Sequence, residues 1–547
     1  MIIFFILLLP GCFGFEDVKS IKARLDINKD GSYSIVEIQD KIEGSNSLAT
    51  AEYKNAINQT GWAFLDISTS QKFTDKKQAF GAGFLEGALT SELLYMYYQN
   101  TIVGRCDGKE QLCASIDKWL DESLKWIESK IKQSSHRKGY WHHVSLFMTQ
   151  LTGIAEGYHH VMKDKNKTIT LKDIIVMNVF GDLEDLESAL NPTQLPNKVL
   201  GKGHCSALLR LLPGNADLLV SHDTWNSYQS MLRIIKKYNM PFKRSSRSSE
   251  IIPGHTLSFS GYPGVIYSGD DFSILSSGLT VLETTIGNSN PDLWTQLTPH
   301  SVLEGIRSTV ANRLATDGRS WTNIFSIHNS GTYNNQWMVV DYNQFTPGDK
   351  ELKPNLLWVL EQIPGYIQTK DLTQIIESQG FWPSYNSPYF KDVYNMSGNQ
   401  RLVEQYGDWF SYEKTPRAQI FHRDAVKVTD IPSMIKLMRY NNYTQDPLSV
   451  CDCSPPYSAE NSISARNDLN PLNGTYPFPA LSHRSHGGTD MKLTSYKMAQ
   501  NYQLIAQGGP TWDPLPPFRW SEQDFKDTPH VGQPDLWQFD PVEVTWN

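Results

Sequence analysis

The pattern of hydrophobic and polar positions divides the chain into a short β-rich start, a helical region and a long strand-rich remainder. In the first 75 residues, SYSIVEI and GWAFLDIST carry the alternating or β-branched apolar residues that are typical of strands. From about residue 77 to 190, apolar residues recur every three or four positions, which predicts helices. The clearest helical segments are AFGAGFLEGALTSELLYMYYQN, SIDKWLDESLKWIESKIKQ and HHVSLFMTQLTGIAEGYHHVMKD.

The second half of the chain is a series of short apolar segments joined by Pro-Gly and Gly-Asp-Asp turns, which predicts antiparallel hairpins. The predicted strands are LLVSH, TLSFSGYPGVIYS, FSILSSGLTVLETTIG, QWMVVDYN, LLWVLEQIPG and AQIFHRD. The last 40 or so residues are rich in Pro and Trp, and we expect them to cover the surface. The whole pattern predicts an α+β fold in which helices flank a large antiparallel sheet.

One short segment matches two structural motifs. DINKDGSYSIVE fits the calcium-loop formula of an EF-hand through Asp26, Asn28, Asp30, Gly31 and Glu37. The same segment contains a strong NKDG turn followed by alternating β-branched residues, which is typical of a hairpin. Because no second EF-hand is present and the segment that follows is strand-like, the sequence favours the hairpin and predicts no calcium site.

Composition narrows the class of protein. The 547 residues carry a formal charge of −8 and no basic run, which argues against nucleic acid as a partner. Residues 2–10 form a short apolar run, and Cys12 and Gly14 follow at the small-residue positions of a cleavage site, which predicts a signal peptide over residues 1–14. No later apolar run is long enough to cross a membrane.

The predicted secretory route agrees with other features of the sequence. Acceptor sequons for N-glycosylation occur at Asn58, Asn166, Asn395, Asn442 and Asn473. Adjacent histidines in the helical region point to different helix faces, so we place them at surface or cap positions and predict neither a metal site nor a cofactor.

Cysteine spacing singles out one thiol. Once the signal peptide is removed, Cys106 and Cys113 lie seven residues apart and Cys451 and Cys453 form a C-x-C pair, so each pair is placed for a local disulfide. Cys205 is left over. An odd thiol in a secreted protein either links a homodimer or is kept as a reactive group.

The sequence around Cys205 leaves three interpretations open. A Pro- and Gly-rich linker ends at His204, and a predicted strand follows. A papain-type enzyme would use a histidine base, and His222 lies 17 residues downstream, but GHCSALL does not match the papain signature. Chain cleavage before Cys205 would instead free an α-amine, with a pKa of about 7.7–8.0, as a built-in base. A buried structural thiol is the third interpretation.

Long motifs resemble the phospholipase B-like (laminin-ancestor-like) family, most of all its lysosomal second branch, from about Arg24 to the C-terminus. The motifs are GDLEDLE, HCSALLRLLPG, HDTWNSYQSMLRIIKKY, SGDDF, LETTIGN, NSGTYNNQWMVVDY, YGDWFSY, SAENSISARNDLNP and GQPDLW. The resemblance implies an N-terminal nucleophile hydrolase fold of four αββα layers with stacked antiparallel sheets. It also implies self-cleavage between His204 and Cys205, after which fragments 15–204 and 205–547 remain one interwoven domain.

The resemblance also implies functional residues. They fall on Cys205, His222, Trp225, Thr285, Asn335 and Arg417. Cys205 matches the nucleophile, Asn335 the oxyanion-stabilising asparagine, and Arg417 an arginine of the pocket. His222 is expected as an imidazolium that favours the thiolate at lysosomal pH, with Trp225 beside it. For the pocket threonine the sequence prefers Thr285 to Thr284. The family disulfides fall on the two cysteine pairs already described.

The predicted function is that of a phospholipase B-like acyl hydrolase of lipid catabolism, in the lysosomal lumen or secreted. It would break a fatty-acyl ester or amide bond through the cysteine. Two alternatives stay open, namely an amidase for small lipid-like or peptide-like amides, and a catalytically silent binding protein. In each case the expected partner is a small lipid-like or amide molecule, and no nucleic acid or membrane span is expected.

Overall fold

The computed structural model describes residues 18, 20–38, 47–133, 138–191 and 205–546. The predicted signal peptide and the predicted cleavage residue His204 lie outside these ranges. Within them, no helix combines the length and apolar composition that a membrane crossing needs.

Helices dominate the first part of the chain and strands the second. The helices are α1 (Ile57–Thr60), α2 (Asp75–Leu89), α3 (Ser91–Thr101), α4 (Glu110–Gln133), α5 (Lys138–Val161), α6 (Leu171–Met177), α7 (Phe180–Leu190), α8 (Glu304–Leu314), α9 (Gly318–Phe325), α10 (Thr373–Gln379), α11 (Lys391–Met396), α12 (Asn399–Tyr406), α13 (Pro416–Asp424), α14 (Ile431–Met438) and α15 (Tyr496–Ala499).

The strands are β1 (Ile21–Ile27), β2 (Tyr33–Glu37), β3 (Ala49–Ala56), β4 (Trp62–Thr69), β5 (Cys205–Leu211), β6 (Leu218–Ser227), β7 (Ile234–Asn239), β8 (Thr256–Gly261), β9 (Phe272–Leu275), β10 (Leu279–Thr285), β11 (Asn335–Asp341), β12 (Leu357–Ile363), β13 (Tyr366–Asp371), β14 (Phe381–Ser384), β15 (His486–Gly488), β16 (Asp490–Thr494), β17 (Leu504–Gly508), β18 (Phe518–Arg519), β19 (Leu536–Trp537) and β20 (Val542–Val544).

Two main sheets are built from these strands. In the described part of the chain the larger sheet has eleven strands in the order β13-β12-β11-β10-β9-β8-β7-β4-β3-β1-β2. The smaller sheet runs β14-β5-β6-β16-β17-β20, with β15 also paired to β6. Strand β4 lies parallel to β7, from Ala63 opposite Ile234 to Ser68 opposite Asn239, whereas the other pairs are antiparallel. Because β4 precedes the predicted cleavage point and β7 follows it, one sheet contains both segments.

The N-terminal hairpin is confirmed. Strands β1 and β2 pair antiparallel over five residues, from Ala23 opposite Glu37 to Ile27 opposite Tyr33. The turn between them places Gly31 at φ 84°, in the left-handed region that glycine adopts without a Cβ clash. The predicted turn residues therefore close a hairpin, and no helix leaves this loop.

Side-chain alternation in the smaller sheet separates two apolar layers. On β5, Leu209 packs into a cluster shared with the larger sheet, while its neighbour Leu208 packs against α13 and α14. On β6, Val220 and Leu219 divide in the same way. Helices α2, α5 and α8 cover the outer face of the larger sheet. The described residues thus stack as helices, larger sheet, smaller sheet and helices, and the even split of each strand follows from its two-residue period.

Helices α2 and α5 approach each other through glycines. A Cβ built on Gly83 would lie 2.0 Å from the carbonyl oxygen of Gln150, and one on Gly87 would lie 2.1 Å from that of Ile154. Conversely, a Cβ on Gly157 would lie 2.0 Å from the carbonyl oxygen of Phe84. The four-residue spacing of small residues on both helices, readable in the sequence, lets the two backbones touch.

One predicted strand is wrong. The segment AQIFHRD is helical and lies within α13. Pro416 occupies the first turn of this helix, where its missing N–H costs nothing. Ala418 and Phe421, three residues apart, both pack into the layer beneath the smaller sheet. The short apolar run therefore follows a helical period that a seven-residue window does not separate from a strand.

Two further expectations need correction. The adjacent histidines of the helical region, His142–His143 and His159–His160, are predicted at surface or cap positions, yet His143 is completely buried and its Nε2 lies 3.2 Å from the carbonyl oxygen of Lys243. Near the C-terminus the chain runs partly as irregular structure, but Val542–Val544 adds the strand β20 to the smaller sheet beside β17. A three-residue strand has too few positions to show a period in the sequence.

The close helix pair predicts a sharp mutational effect. Replacing Gly157 by Ala should destabilise the chain by about 1–3 kcal/mol, because the new methyl group overlaps a backbone oxygen that cannot move alone. The measurement is the urea midpoint of unfolding. Glu156→Ala is the matched control, since Glu156 is exposed on the same helix. Equal midpoints for the two variants would contradict the glycine contact.

Candidate functional site

Both predicted cysteine pairs are bonded. Cys106 and Cys113 form a disulfide with Cα atoms 5.9 Å apart, and Cys451 and Cys453 form another with Cα atoms 5.3 Å apart. Among the described residues, Cys205 is the cysteine that remains as a free thiol, and it is buried. Because its side chain is 2% exposed, it is not placed to form a disulfide with a second copy of the chain.

Cys205 is the first residue of β5, on the face that looks toward the larger sheet. It shares the parity of Ala207 and Leu209, which pack into the layer between the sheets. Seven consecutive residue pairs join β5 to β6, beginning with Cys205 opposite Thr224. Burial raises the pKa of the Cys205 thiol well above its usual value. The backbone of Trp225, which hydrogen-bonds to the sulfur, acts in the opposite direction.

Arg417 reaches the cysteine from the helical side. Its Nη1 donates to the carbonyl oxygen of Cys205 at 2.6 Å and to Ser206 Oγ at 3.3 Å. Its guanidinium carbon lies 4.2 Å from the ring centre of Trp225, a cation–π distance. Burial lowers the pKa of Arg417 to about 10, so the side chain remains charged. The structure therefore brings together three of the residues that the sequence singled out.

His222 is buried beside this group but differs from the expectation. Its Nε2 lies 2.8 Å from the carbonyl oxygen of Glu283, which fixes a proton on that nitrogen. Its Nδ1 is buried and has no hydrogen-bond partner among the described residues. Burial, reinforced by the charge of Lys492, lowers the pKa of His222 well below its usual value. This shift disfavours the imidazolium that the sequence analysis expects at His222.

Thr285 and Asn335 lie directly opposite each other on β10 and β11. The hydroxyl of Thr285 and both amide atoms of Asn335 are buried without a hydrogen-bond partner in the described structure. Thr284, by contrast, shares a 2.6 Å hydrogen bond with Ser384. Unused buried donors are costly unless a ligand takes them up. This geometry distinguishes Thr285 from Thr284 as the residue with free hydrogen-bonding capacity.

Asn386, which the sequence analysis missed, joins the two halves of the site. Its Oδ1 accepts from Arg417 Nη2 at 2.6 Å, and its Nδ2 donates to the carbonyl oxygen of Thr285 at 2.6 Å. The residue lies two positions after β14 and has φ 64°. Nothing in the sequence around it signals this role, because the contact depends on how the sheets stack.

A cavity of about 800 Å³ opens beside these residues. Thr285, Asn386 and Arg417 lie on its wall, whereas Thr284 does not. The lining does not include Cys205, His222, Trp225 or Asn335. Much of the remaining surface is aromatic. The aromatic lining residues are Trp294, Tyr333, Tyr385, Tyr406, Trp409, Phe410 and Phe478. The cavity therefore combines a polar end at Arg417 with an apolar side wall.

Comparison with known proteins places this site in a family. Residues 49–544 match the phospholipase B family. The chain belongs to the phospholipase B family. It is 49% identical over 510 residues to "Putative phospholipase B-like 2" of Mus musculus, covering 92% of this chain and 86% of that protein. Two more distant relatives cover a similar span.

These relatives come from other branches of life. "Putative phospholipase B-like 1" of Caenorhabditis elegans is 46% identical over 510 residues, covering 91% of this chain and 87% of that protein. "Phospholipase B-like protein B" of Dictyostelium discoideum is 38% identical over 512 residues, covering 92% of this chain and 86% of that protein. The chain is thus a member of a hydrolase family, as its motifs predicted.

This phospholipase B family member also carries a buried carboxyl cluster that sequence reasoning missed. Burial raises the pKa of Asp182 and of Asp271 to about 6, and it raises the pKa of Glu283 well above its usual value. The hydroxyl of Tyr333 donates to Glu283 Oε1 at 3.2 Å. Asp271 and Glu283 lie within SGDDF and LETTIGN, so the motifs contained the signal without indicating burial.

A second buried group is a network of four charges next to Thr224. Arg233 contacts Asp270 and lies 2.7 Å from Asp490 Oδ2, while Lys492 Nζ lies 2.8 Å from Asp490 Oδ1. All four side chains are at most 1% exposed. Charges this deep are retained only when paired. Their sequence signal is a charged residue inside an otherwise apolar strand, as in MKLT.

No group of three or more His, Cys, Asp or Glu side chains in the described ranges has the geometry to hold a metal ion.

The sequons lie where glycans have room. Asn58, Asn166, Asn395 and Asn473 are exposed, and Asn442 is half-buried.

The buried carboxyls predict higher stability in acid. Besides the cluster described above, burial raises the pKa of Glu361 to about 7, and raises the pKa of Glu304 and Asp223 well above their usual values. Between about pH 4 and pH 7 these groups hold protons in the folded chain that the unfolded chain releases, so stability decreases as pH rises. Buried His143 and His222, with pKa values well below the usual one, act in the opposite direction but are fewer.

We therefore expect the thermal midpoint at pH 5 to exceed that at pH 7.5 by several degrees. The check is a scan of the full chain in buffers of equal ionic strength. Glu361→Gln removes one titrating group without changing its volume, and it should reduce the difference. A midpoint that rises from pH 5 to pH 7.5 would contradict the buried-carboxyl account.

Proposed function

We propose that this chain is an acyl hydrolase of the N-terminal nucleophile type. It would be cut between His204 and Cys205 and would then break a fatty-acyl ester or amide bond through the Cys205 thiol. The observation that carries the proposal is a free thiol at the first position of β5, in a residue whose carbonyl oxygen accepts a hydrogen bond from Arg417 on the wall of a cavity of about 800 Å³. Membership of the phospholipase B family and the stacking of two sheets between helices support the same assignment.

Maturation is the first chemical step. The Cys205 thiol adds to the His204 carbonyl carbon, the C–N bond breaks, and the released amine takes the proton. Water then hydrolyses the resulting thioester, which gives a carboxylate on His204 and restores the thiol. The hydrogen bond from Arg417 to the Cys205 carbonyl fixes the main chain during this exchange. The new α-amine has a pKa near neutrality, so it serves as the base for the next step.

Substrate cleavage uses the same thiol chemistry, but the carbonyl attacked now belongs to the substrate. The α-amine accepts the thiol proton, the thiolate attacks the acyl carbonyl carbon, and the negative charge moves to the oxygen. The unpartnered Asn335 amide is suited to donate to this oxyanion, and one such donor is worth about 2.7–4 kcal/mol. The α-ammonium returns the proton to the leaving alcohol or amine. Water hydrolyses the acyl-thioester, which releases the fatty acid.

The cavity wall supports an acyl rather than a wholly polar substrate. Trp409, Phe410 and Phe478 form one aromatic cluster, with the Trp409 and Phe478 ring centres 4.7 Å apart and those of Phe410 and Phe478 5.1 Å apart. A hydrocarbon chain laid on this cluster would be removed from water, at about 25 cal/mol per Å². Arg417 and Asn386 would face the polar end of the substrate.

The cellular site proposed is the lysosomal lumen or the secreted fluid. The signal-peptide pattern and the exposed sequons support a secretory route, in which the two disulfides are stable.

Cleavage tests the proposal directly. Wild-type chain, Cys205→Ala and the matched Cys205→Ser are incubated in acid, deglycosylated and run on a denaturing gel. Wild type should yield fragments of roughly 22 and 39 kDa from the 62.1 kDa chain, with the larger beginning Cys-Ser-Ala. Cys205→Ala should stay intact. If wild type and Cys205→Ala are cut alike, or neither is cut, the chain is better described as a binding protein that holds a ligand in the cavity.

The aromatic wall gives a second test. Trp409→Ala should lower kcat/KM for long-chain acyl substrates by about 10- to 100-fold, because lost apolar contact is worth about 1–3 kcal/mol. Short-chain substrates should be affected much less. Trp126→Ala is the control, since Trp126 is a half-buried tryptophan of α4 away from the cavity. Equal losses for long and short chains would contradict an acyl site on this wall.

A further inference from the structure

We infer that Lys492 is a positioning residue for Cys205, because its buried ammonium group supplies the positive charge that favours the thiolate. The inference rests on the proposed function, since the thiolate matters only if Cys205 is the nucleophile. Lys492 lies on β16, far from Cys205 in sequence and outside the family motifs quoted above. It reaches the site through Thr224 on the strand between them.

Register places the three side chains on one face of the smaller sheet. Cys205 lies opposite Thr224 on β5 and β6, and Lys492 lies opposite His222 on β6 and β16. Thr224 and His222 are two residues apart, so their side chains point to the same side. Lys492 Nζ donates to Thr224 Oγ1. The ammonium group is therefore joined to the residue directly opposite the thiol.

Other cations of the site are less suited to this role. Arg417 contacts Cys205 through the main-chain carbonyl and lies on the opposite, helical face of the sheet, with Ser206. His222 is disfavoured as a cation, because burial lowers its pKa well below the usual value. Lys492 is completely buried, and burial lowers its pKa while the carboxylate of Asp490 opposes that effect.

The charge of Lys492 also determines the net charge of the buried network around it. Arg233 and Lys492 balance Asp270 and Asp490, so the network is neutral as a whole. Without the lysine it would carry one negative charge close to Cys205. In a buried site such an uncompensated charge acts over several ångströms with little screening.

Carboxyls on the larger sheet act against the thiolate. Beyond the effect of burial, the charges of Glu283 and Asp271 raise the pKa of the Cys205 thiol, whereas that of Lys492 lowers it. Tyr333, which hydrogen-bonds to Glu283, remains neutral, since its pKa lies well above the usual value. The thiol thus lies between a group of acids and one paired ammonium, and its ionisation depends on which of them is charged.

The test measures thiol ionisation directly, in the full chain and without substrate. Absorbance at 240 nm reports the thiolate, and Cys205→Ala subtracts the background from tyrosines and the backbone. Lys492→Met keeps the length of the side chain and removes its charge. We expect it to raise the apparent pKa of the Cys205 thiol by at least one pH unit, a tenfold change in the ionisation constant. Lys492→Arg should restore most of the difference.

Lys236→Met is the matched control. Lys236 is equally buried and pairs with Glu86 at 2.6 Å, but it lies on β7 of the larger sheet and its partner lies on helix α2. Lys236→Met should lower the thermal midpoint as much as Lys492→Met does. It should leave the pKa of the Cys205 thiol unchanged. If Lys492→Met yields no folded protein, the same measurement is made on Thr224→Val. We expect that variant to change the ionisation constant of the Cys205 thiol by at least threefold.

An unchanged thiol pKa in the folded Lys492 or Thr224 variant would overturn the inference, as would an equal rise in Lys236→Met. Neither result depends on hydrolysis. Failure of the proposed function would appear separately, as cleavage and acyl release that survive in Cys205→Ala.

Discussion

The main chain of Cys205 is held from two directions, and the candidate site is arranged around it. Strand β6 fixes it on one side through an uninterrupted ladder that starts at the cysteine. The guanidinium of Arg417 fixes its carbonyl oxygen from the helical layer. Because Arg417 also contacts Asn386, which in turn contacts the Thr285 main chain, the same anchor sets the relation between the two sheets at the cavity.

Burial makes these contacts strong and also makes them costly. Charges removed from water must be paired, and burial raises the pKa of a carboxyl that has no cation beside it. The structure contains both cases, with a neutral network in which Asp490 and Lys492 of the smaller sheet pair with Arg233 and Asp270, and with carboxyls of raised pKa, such as Glu283, on the larger sheet. A thiol between the two is sensitive to small changes in charge. Protonation of Glu283 and Asp271 removes two negative charges that oppose the thiolate.

The features that the sequence predicted depend on local pattern. The NKDG hairpin, the long amphipathic helices and the two cysteine pairs all follow from residues close together in the chain. The failures depend on tertiary context. Whether His222 is charged, and whether Lys492 and Glu283 are buried, is decided by how the sheets stack. The family resemblance identified Cys205 and Arg417, but their hydrogen bond through the main chain could not be read from either residue alone.

Trapping an acyl group on Cys205 tests the central claim most directly. The chain is incubated in acid with a long-chain acyl ester or amide, quenched, and digested for mass spectrometry. The account predicts a peptide that begins at Cys205 and carries the acyl mass as a thioester, which hydroxylamine removes. A free Cys205, or the acyl group on another residue while fatty acid is released, would contradict it.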